Sequence, residues 1–169
     1  MGNIKLFVCH SHDDKEIASA LMNVIEAGFD WPEKDGILCT SNKKYRPSVL
    51  SDPTPDKVSQ HLKDHLQSSA RVLFLMTRNS LDSQWCMFEL GGAWLQSEIT
   101  LPLLAGVKSK KMPAALKETA GVDIMQPEEL WDELKCLGKS MGWKVKSYAA
   151  VKQPLKNLAK VAKRSVGNK

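Results

Sequence analysis

No stretch of the chain reaches the roughly 18 to 20 consecutive apolar residues that a membrane-spanning helix requires. The N-terminus has no basic segment followed by an apolar core and a small-residue cleavage site. Both absences lead us to expect a cytoplasmic protein with no membrane partner. Cysteine is scarce: the four residues Cys9, Cys39, Cys86 and Cys136 lie far apart without a CxxC pair. That spacing gives no zinc ribbon and no dithiol redox motif, and it favours reduced thiols packed as small apolar side chains. No internal repeat is visible. At 169 residues, with 43% hydrophobic and 25% charged, the chain is too apolar for disorder and long enough to bury a sizeable core.

Acidic residues are missing from one end. Between Lys135 and Lys169 there are ten Lys and Arg and no Asp or Glu, whereas the rest of the chain sets 14 basic residues against all 19 acidic ones. The sequence pI near 9.0 therefore describes a basic tail on an acidic body. The body has no basic patch interleaved with aromatics, so nucleic acid is not an expected partner.

Short apolar runs alternate with amphipathic stretches, the pattern of an α/β domain with a mainly parallel, covered sheet. Residues 4–9 predict a first strand. Ser11 and Asp14 are spaced as a helix-capping pair, and Ile17, Leu21, Val24 and Ile25 recur at helical spacing up to Gly28. A short strand is expected at 36–40, a loop over 41–54, and a helix from Pro55 burying Val58, Leu62 and Leu66. Residues 71–77 form the clearest strand, continuously apolar as a central strand covered on both faces would be. One helix is expected from about Ser80 to Ser97, then a strand at 99–105 in which Pro102 marks an edge or bulge. A fifth strand is expected at 121–125, with helices over 128–141 and from Pro154 onward. The last helix carries Leu155, Leu158, Ala159, Ala162 and Val166 on one side and Lys156, Lys160, Lys163 and Arg164 on the other, which suits packing or subunit contact. The expected division is a domain over 1–126 and a basic helical extension over 127–169.

Ligands of doubly wound sheets bind beyond the carboxyl ends of the strands, which directs attention to His10-Ser11-His12, Thr40-Ser41-Asn42 and Thr77-Arg78-Asn79. Glu89 is an anomaly. It lies between Phe88 and Leu90, one turn from Trp85 and Cys86, next to an apolar face that would raise its pKa. On these residues alone a salt-bridged surface carboxylate is the simpler explanation. Gly91 and Gly92 each cost about 0.5–1 kcal/mol relative to alanine inside a helix. They either open space for a ligand or allow close packing, and packing is the simpler of the two. His61 and His65 have the i, i+4 spacing of metal ligands without a third ligand, so a solvated helix face is expected. Trp94, Trp131 and Trp143 are expected to be core or partly buried.

The segments Phe7-Val8-Cys9-His10-Ser11-His12-Asp13-Asp14-Lys15, Ile37-Leu38-Cys39-Thr40-Ser41, Val72 to Thr77, and Ser83-Gln84-Trp85-Cys86-Met87-Phe88-Glu89-Leu90 together resemble Toll/interleukin-1 receptor (TIR) domains, particularly bacterial ones, over about residues 3–125. The resemblance implies a flavodoxin-like fold: a five-stranded parallel sheet in the order 2-1-3-4-5 with helices on both faces, here with a C-terminal helical extension. It also implies cleavage of NAD at the nicotinamide–ribose bond, giving ADP-ribose or a cyclic isomer, in antiviral or immune signalling. NAD is then a substrate, and no separate cofactor or metal is expected. Glu89 stands at the position of the family's catalytic glutamate. The implied binding set is His10, Ser11, Ser41, Asn42, Lys43, Arg46, Trp85 and Cys86, with Trp85 and Cys86 shaping the nicotinamide–ribose pocket and Lys43 and Arg46 reaching the diphosphate. The implied partners are other TIR domains, through self-association, and an effector that responds to a nucleotide product. In the family the loop after the second strand mediates protomer contacts and covers the nucleotide, but residues 46–53 contain no glycine.

One carboxylate is chemically sufficient for such a reaction. Ordinary glycosidases use two, one of them to protonate the leaving oxygen. Nicotinamide in NAD already carries positive charge and departs neutral, which leaves only the cation at the anomeric carbon to stabilise. Two other readings are a noncatalytic TIR interaction module and a nucleoside deoxyribosyltransferase-like enzyme, which also uses a glutamate.

Overall fold

The computed structural model describes residues 5–31, 36–42, 44–45, 71–95, 99–116 and 119–167. Lys43, Arg46 and the helix expected from Pro55, with His61 and His65, lie outside the described residues. The strands are β1 (Leu6–Cys9), β2 (Phe29–Asp30), β3 (Ile37–Leu38), β4 (Arg71–Met76), β5 (Ile99–Leu104), β6 (Val122–Asp123) and β7 (Lys144–Val145). Five of them form one parallel sheet in the spatial order β3-β1-β4-β5-β6. Numbered within the sheet this is 2-1-3-4-5, the flavodoxin-like order. β2 and β7 form a separate antiparallel ribbon that the sequence did not suggest.

Side chains on successive strand residues point to opposite faces, and here both faces are covered. Leu6 and Val8 of β1, Leu73 and Leu75 of β4, and Leu103 of β5 join one buried cluster. Its other wall is built from α1 (Lys15–Gly28), α4 (Pro127–Ser140) and α5 (Tyr148–Gly167). Phe7 and Cys9, Val72, Phe74 and Met76, and Leu104 turn the other way. There they meet Cys86, Leu90 and Ala93 of α3 (Gln84–Leu95), which follows the short α2 (Arg78–Asp82). A fully buried Leu or Phe stabilises by about 1.5–3 kcal/mol, so a strand covered on both sides profits from apolar residues at every position. This accounts for the unbroken run in β4.

Several local expectations are corrected. The Ser11 side chain makes no capping bond. Asp14, instead of reaching back to it, is buried and accepts hydrogen bonds from Thr77 Oγ1 at 2.5 Å and Asn79 Nδ2 at 2.7 Å. The helix expected over 80–97 is two helices divided at Ser83, whose backbone is extended. Thr77 caps the first through a reciprocal bond with Ser80, and Ser83 Oγ accepts from the Cys86 N–H to start the second. β5 is interior rather than an edge, yet β6 pairs with it only from Leu103 onward. Pro102 thus stands where one side of the strand needs no donor. Pro154 lies inside α5, which begins at Tyr148, because burial of Val151 draws the preceding turn into the helix.

Candidate active site

β1 lies between β3 and β4, so the chain leaves it at the point where the strand order reverses, the usual ligand position in this architecture. Three consecutive features at its exit tie it to three different elements. Cys9 reaches α3, His10 reaches the turn after β3, and Asp14 reaches the exit of β4.

The Cys9 contact defines the first cluster. Cys9 Sγ donates to Glu89 Oε2 at 2.8 Å, and Trp85 Nε1 donates to Glu89 Oε1 at 2.8 Å. Glu89 and Trp85 are four residues apart on α3 and share one helix face. The Glu89 side chain is only 5% exposed. Burial raises its pKa from the usual 4.5 to about 7, and the two donors offset only part of that rise. The Cys9 thiol is pushed well up, first by burial, then by its hydrogen bond with Cys86 and the nearby Glu89, so it remains an S–H donor. Cys86 is held below its ordinary range, chiefly by the hydrogen bond from Cys9. The simpler expectation of a salt-bridged surface carboxylate does not hold for Glu89, whose partners are a thiol and an indole.

His10 and Ser41 form a second pair, with His10 Nε2 and Ser41 Oγ 2.6 Å apart. His10 Nδ1 is 2.9 Å from the Val8 carbonyl, which accepts only, so Nδ1 carries the proton and Nε2 accepts from the serine hydroxyl. Burial lowers the His10 pKa and keeps the ring neutral. Asn42 organises its own turn, its Oδ1 accepting from the Lys44 N–H. Ser11 is half-buried, and its carbonyl accepts from the Asp14 N–H. The predicted residues therefore divide into Glu89, Trp85 and Cys86 in one cluster and His10 with Ser41 in another, both anchored at the end of β1.

Sequence reasoning did not single out Cys9 or Asp14 as site residues, and it named Thr77 only as part of a polar strand-end turn. Cys9 had one available signal, as the last residue of an apolar strand beside the switch point. Asp14 and Thr77 line a cavity of about 150 Å³ together with Gly106 and Val166. That volume is below the roughly 300–1,000 Å³ of small-molecule sites, and Glu89 is not among its walls. Gly91 and Trp94 are also corrected. A methyl group added at Gly91 meets nothing within 4 Å, so close packing does not explain this glycine. Trp94 is 55% exposed, whereas Trp131 and Trp143 are buried as expected.

Residues 6–135 match the TIR domain family. The chain belongs to that family. Over 130 residues this TIR domain is 25% identical to the uncharacterized protein YddK of Bacillus subtilis strain 168, covering 76% of the present chain. The match takes in 46% of YddK, so the chain spans about half the length of that relative. Among solved structures, it superposes on the TIR domain of the Toll-related receptor TRR-2 from Hydra magnipapillata with a TM-score of 0.55. The identity is 16%, covering 78% of this chain and 96% of the other. At that identity the likeness concerns the fold. Among the described residues, no helix of this TIR domain is long and apolar enough to cross a membrane.

Proposed function

We propose that this TIR domain cleaves NAD at the nicotinamide–ribose bond, with Glu89 as the catalytic residue. The observation that supports this most strongly is the burial of the Glu89 carboxyl at the exit of β1, fixed through both oxygens by Cys9 and Trp85. A carboxylate held in a dry site stabilises a developing ribosyl cation far better than one in water, because its field is unscreened and already oriented. Nicotinamide leaves as a neutral base and needs no proton donor, so one carboxylate is sufficient. Trp85, 42% exposed, provides the aromatic edge of the site toward solvent. In this reading His10 and Ser41 shape the neighbouring wall, and the product is ADP-ribose or a cyclic isomer released to an effector.

The test is incubation with NAD at high protein concentration, with nicotinamide and nucleotide products separated by chromatography and identified by mass. Glu89→Gln is expected to lower nicotinamide release at least about 10²-fold, the usual effect of removing one electrostatic stabiliser, while the folded circular-dichroism spectrum is kept. Undiminished release from that variant would refute the assignment.

A second reading has its own support. Phe88 is 68% and Leu95 76% exposed, and with Trp85 and Trp94 they give α3 an apolar outer side. Such a surface suits contact with another protein domain, including another TIR domain. A wild-type protein that self-associates and releases no nicotinamide would favour an interaction module.

A further inference from the structure

Cys9, Cys86 and Glu89 come from two elements and are all buried, and their ligand atoms, two sulfurs and a carboxylate oxygen, lie within 4.8 Å of one another. Zinc bound to two cysteines and a carboxylate places its ligand atoms about 3.6–3.8 Å apart, from bonds of about 2.3 Å to sulfur and 2.0–2.2 Å to oxygen. All three separations lie within 4.8 Å, and binding requires the 2.8 Å Cys9–Glu89 pair to open to about 3.6 Å while any wider pair closes to about 3.8 Å. We infer that the three residues form a site for a thiophilic divalent ion, Zn²⁺ above all, and that the ion switches off the cleavage chemistry by occupying Glu89.

Several features of the cluster favour an ion. Cys86 and Glu89 are three residues apart on α3 and present their ligand atoms on the same side. Glu89 Oε2 is the oxygen that the Cys9 thiol now holds, so an ion replacing that proton would bridge groups that are already neighbours. The other oxygen accepts from Trp85 Nε1, the kind of outer hydrogen bond that orients a ligating carboxylate. Two thiolates with one carboxylate select zinc over magnesium or calcium, which prefer oxygen ligands throughout. Binding forms two metal–sulfur bonds and one metal–oxygen bond and releases to solvent both thiol protons and, where the Glu89 carboxyl is protonated, its proton as well. The fourth position is left to water, and no oxidation occurs. Inhibition rests on the NAD-cleaving role of Glu89, since a carboxylate committed to the ion no longer faces a ribosyl cation. The site itself does not depend on that role.

The test is titration of the full chain with Co²⁺ alone under a non-thiol reductant. One ion per chain, with the thiolate-to-cobalt charge-transfer absorption and its loss on adding Zn²⁺, is expected. Cys9→Ser and Cys86→Ser should each weaken binding by more than the about 10–100-fold typical of removing an outer partner, and Trp85→Phe by about tenfold. If the serine variants do not fold, alkylation of wild type supplies the answer. Zn²⁺ should then slow alkylation of Cys9 and Cys86 below the rate burial alone gives in the metal-free protein, while the exposed Cys136 reacts equally in both. Absence of the charge-transfer band, or alkylation of Cys9 and Cys86 as fast with Zn²⁺ as without it, overturns the proposal. Nicotinamide release is followed separately. Release that persists at stoichiometric Zn²⁺ overturns the inhibitory role, while a band from a protein that releases no nicotinamide even when metal-free supports the site and removes the NAD reading instead.

Discussion

At the scale of the residue, Glu89 connects stability and chemistry through one proton. Its carboxyl is held at about 7, against the usual 4.5 in an unfolded chain, so between those values the folded protein binds a proton that the unfolded chain has lost. Stability therefore falls as pH rises through this window, by about 3 kcal/mol in all for a shift of this size. Glu89→Gln has no such proton. Urea unfolding at pH 4.5 and pH 8 should show a decline in wild type that is absent from the variant. On the proposed role of Glu89 the same proton also sets the rate. Only the ionised carboxylate stabilises a cation, so nicotinamide release should climb about tenfold per pH unit below 7 and level off above it. A flat profile from pH 5.5 to 8 would exclude Glu89 as the group that must ionise. The raised pKa of this residue was legible in the sequence through its neighbours Phe88 and Leu90, although its burial was not, since those residues alone favoured a surface carboxylate. Nor was its partner legible. Cys9 and Glu89 are 80 positions apart, and no periodicity reports which strand end a helix will meet.

At the scale of the element, two helical glycines, one interior and one terminal, predict opposite outcomes. Gly91 lies inside α3 with open space where a side chain would go. Gly91→Ala should stabilise by about 0.5–1 kcal/mol, because alanine loses less backbone freedom on folding. Gly28 ends α1 where a methyl group would come within 2.6 Å of Trp131 and 2.9 Å of Val151. Gly28→Ala should destabilise by about 1–3 kcal/mol through overpacking. Denaturant midpoints for the two variants, moving in opposite directions, check both. The amphipathic α1 and α4 were readable because each has one buried stripe. α3 was not readable in the same way, since apolar residues surround it and period alone does not separate its inner Cys86, Leu90 and Ala93 from its outer Phe88 and Trp94. The break at Ser83 escaped for a similar reason: serine inside an otherwise helical stretch becomes a stop only when its hydroxyl is taken by the next helix's N–H.

At the scale of the whole molecule, the question is whether the C-terminal helices are an appendage or part of the folding unit. Leu155, Leu158 and Ala162 of α5 share one buried cluster with Ile17, Leu21 and Ile25 of α1 and with the strand residues beneath them. The β2–β7 ribbon adds a second tie, bringing Phe29 within 5.4 Å of Trp131 and 5.7 Å of Trp143, centroid to centroid. The lysines at 152, 156, 160 and 163 remain exposed, so the tail's basic charge is a solvated face and its apolar stripe does the packing. These contacts predict one cooperative unit. Leu158→Ala should cost about 2–5 kcal/mol, the range for removing a fully buried leucine, whereas Lys156→Ala should stay within about 0.5 kcal/mol. Unfolding of the leucine variant, in a Trp85→Phe/Trp94→Phe background so that Trp31, Trp131 and Trp143 report the C-terminal aromatic cluster, should be followed at once by tryptophan fluorescence and by far-ultraviolet circular dichroism, which senses the sheet and helices together. Coincident transitions, both moved to lower denaturant, are expected of a single core. A fluorescence change that precedes the circular-dichroism change would instead identify α4 and α5 as a separately melting layer over a self-sufficient sheet.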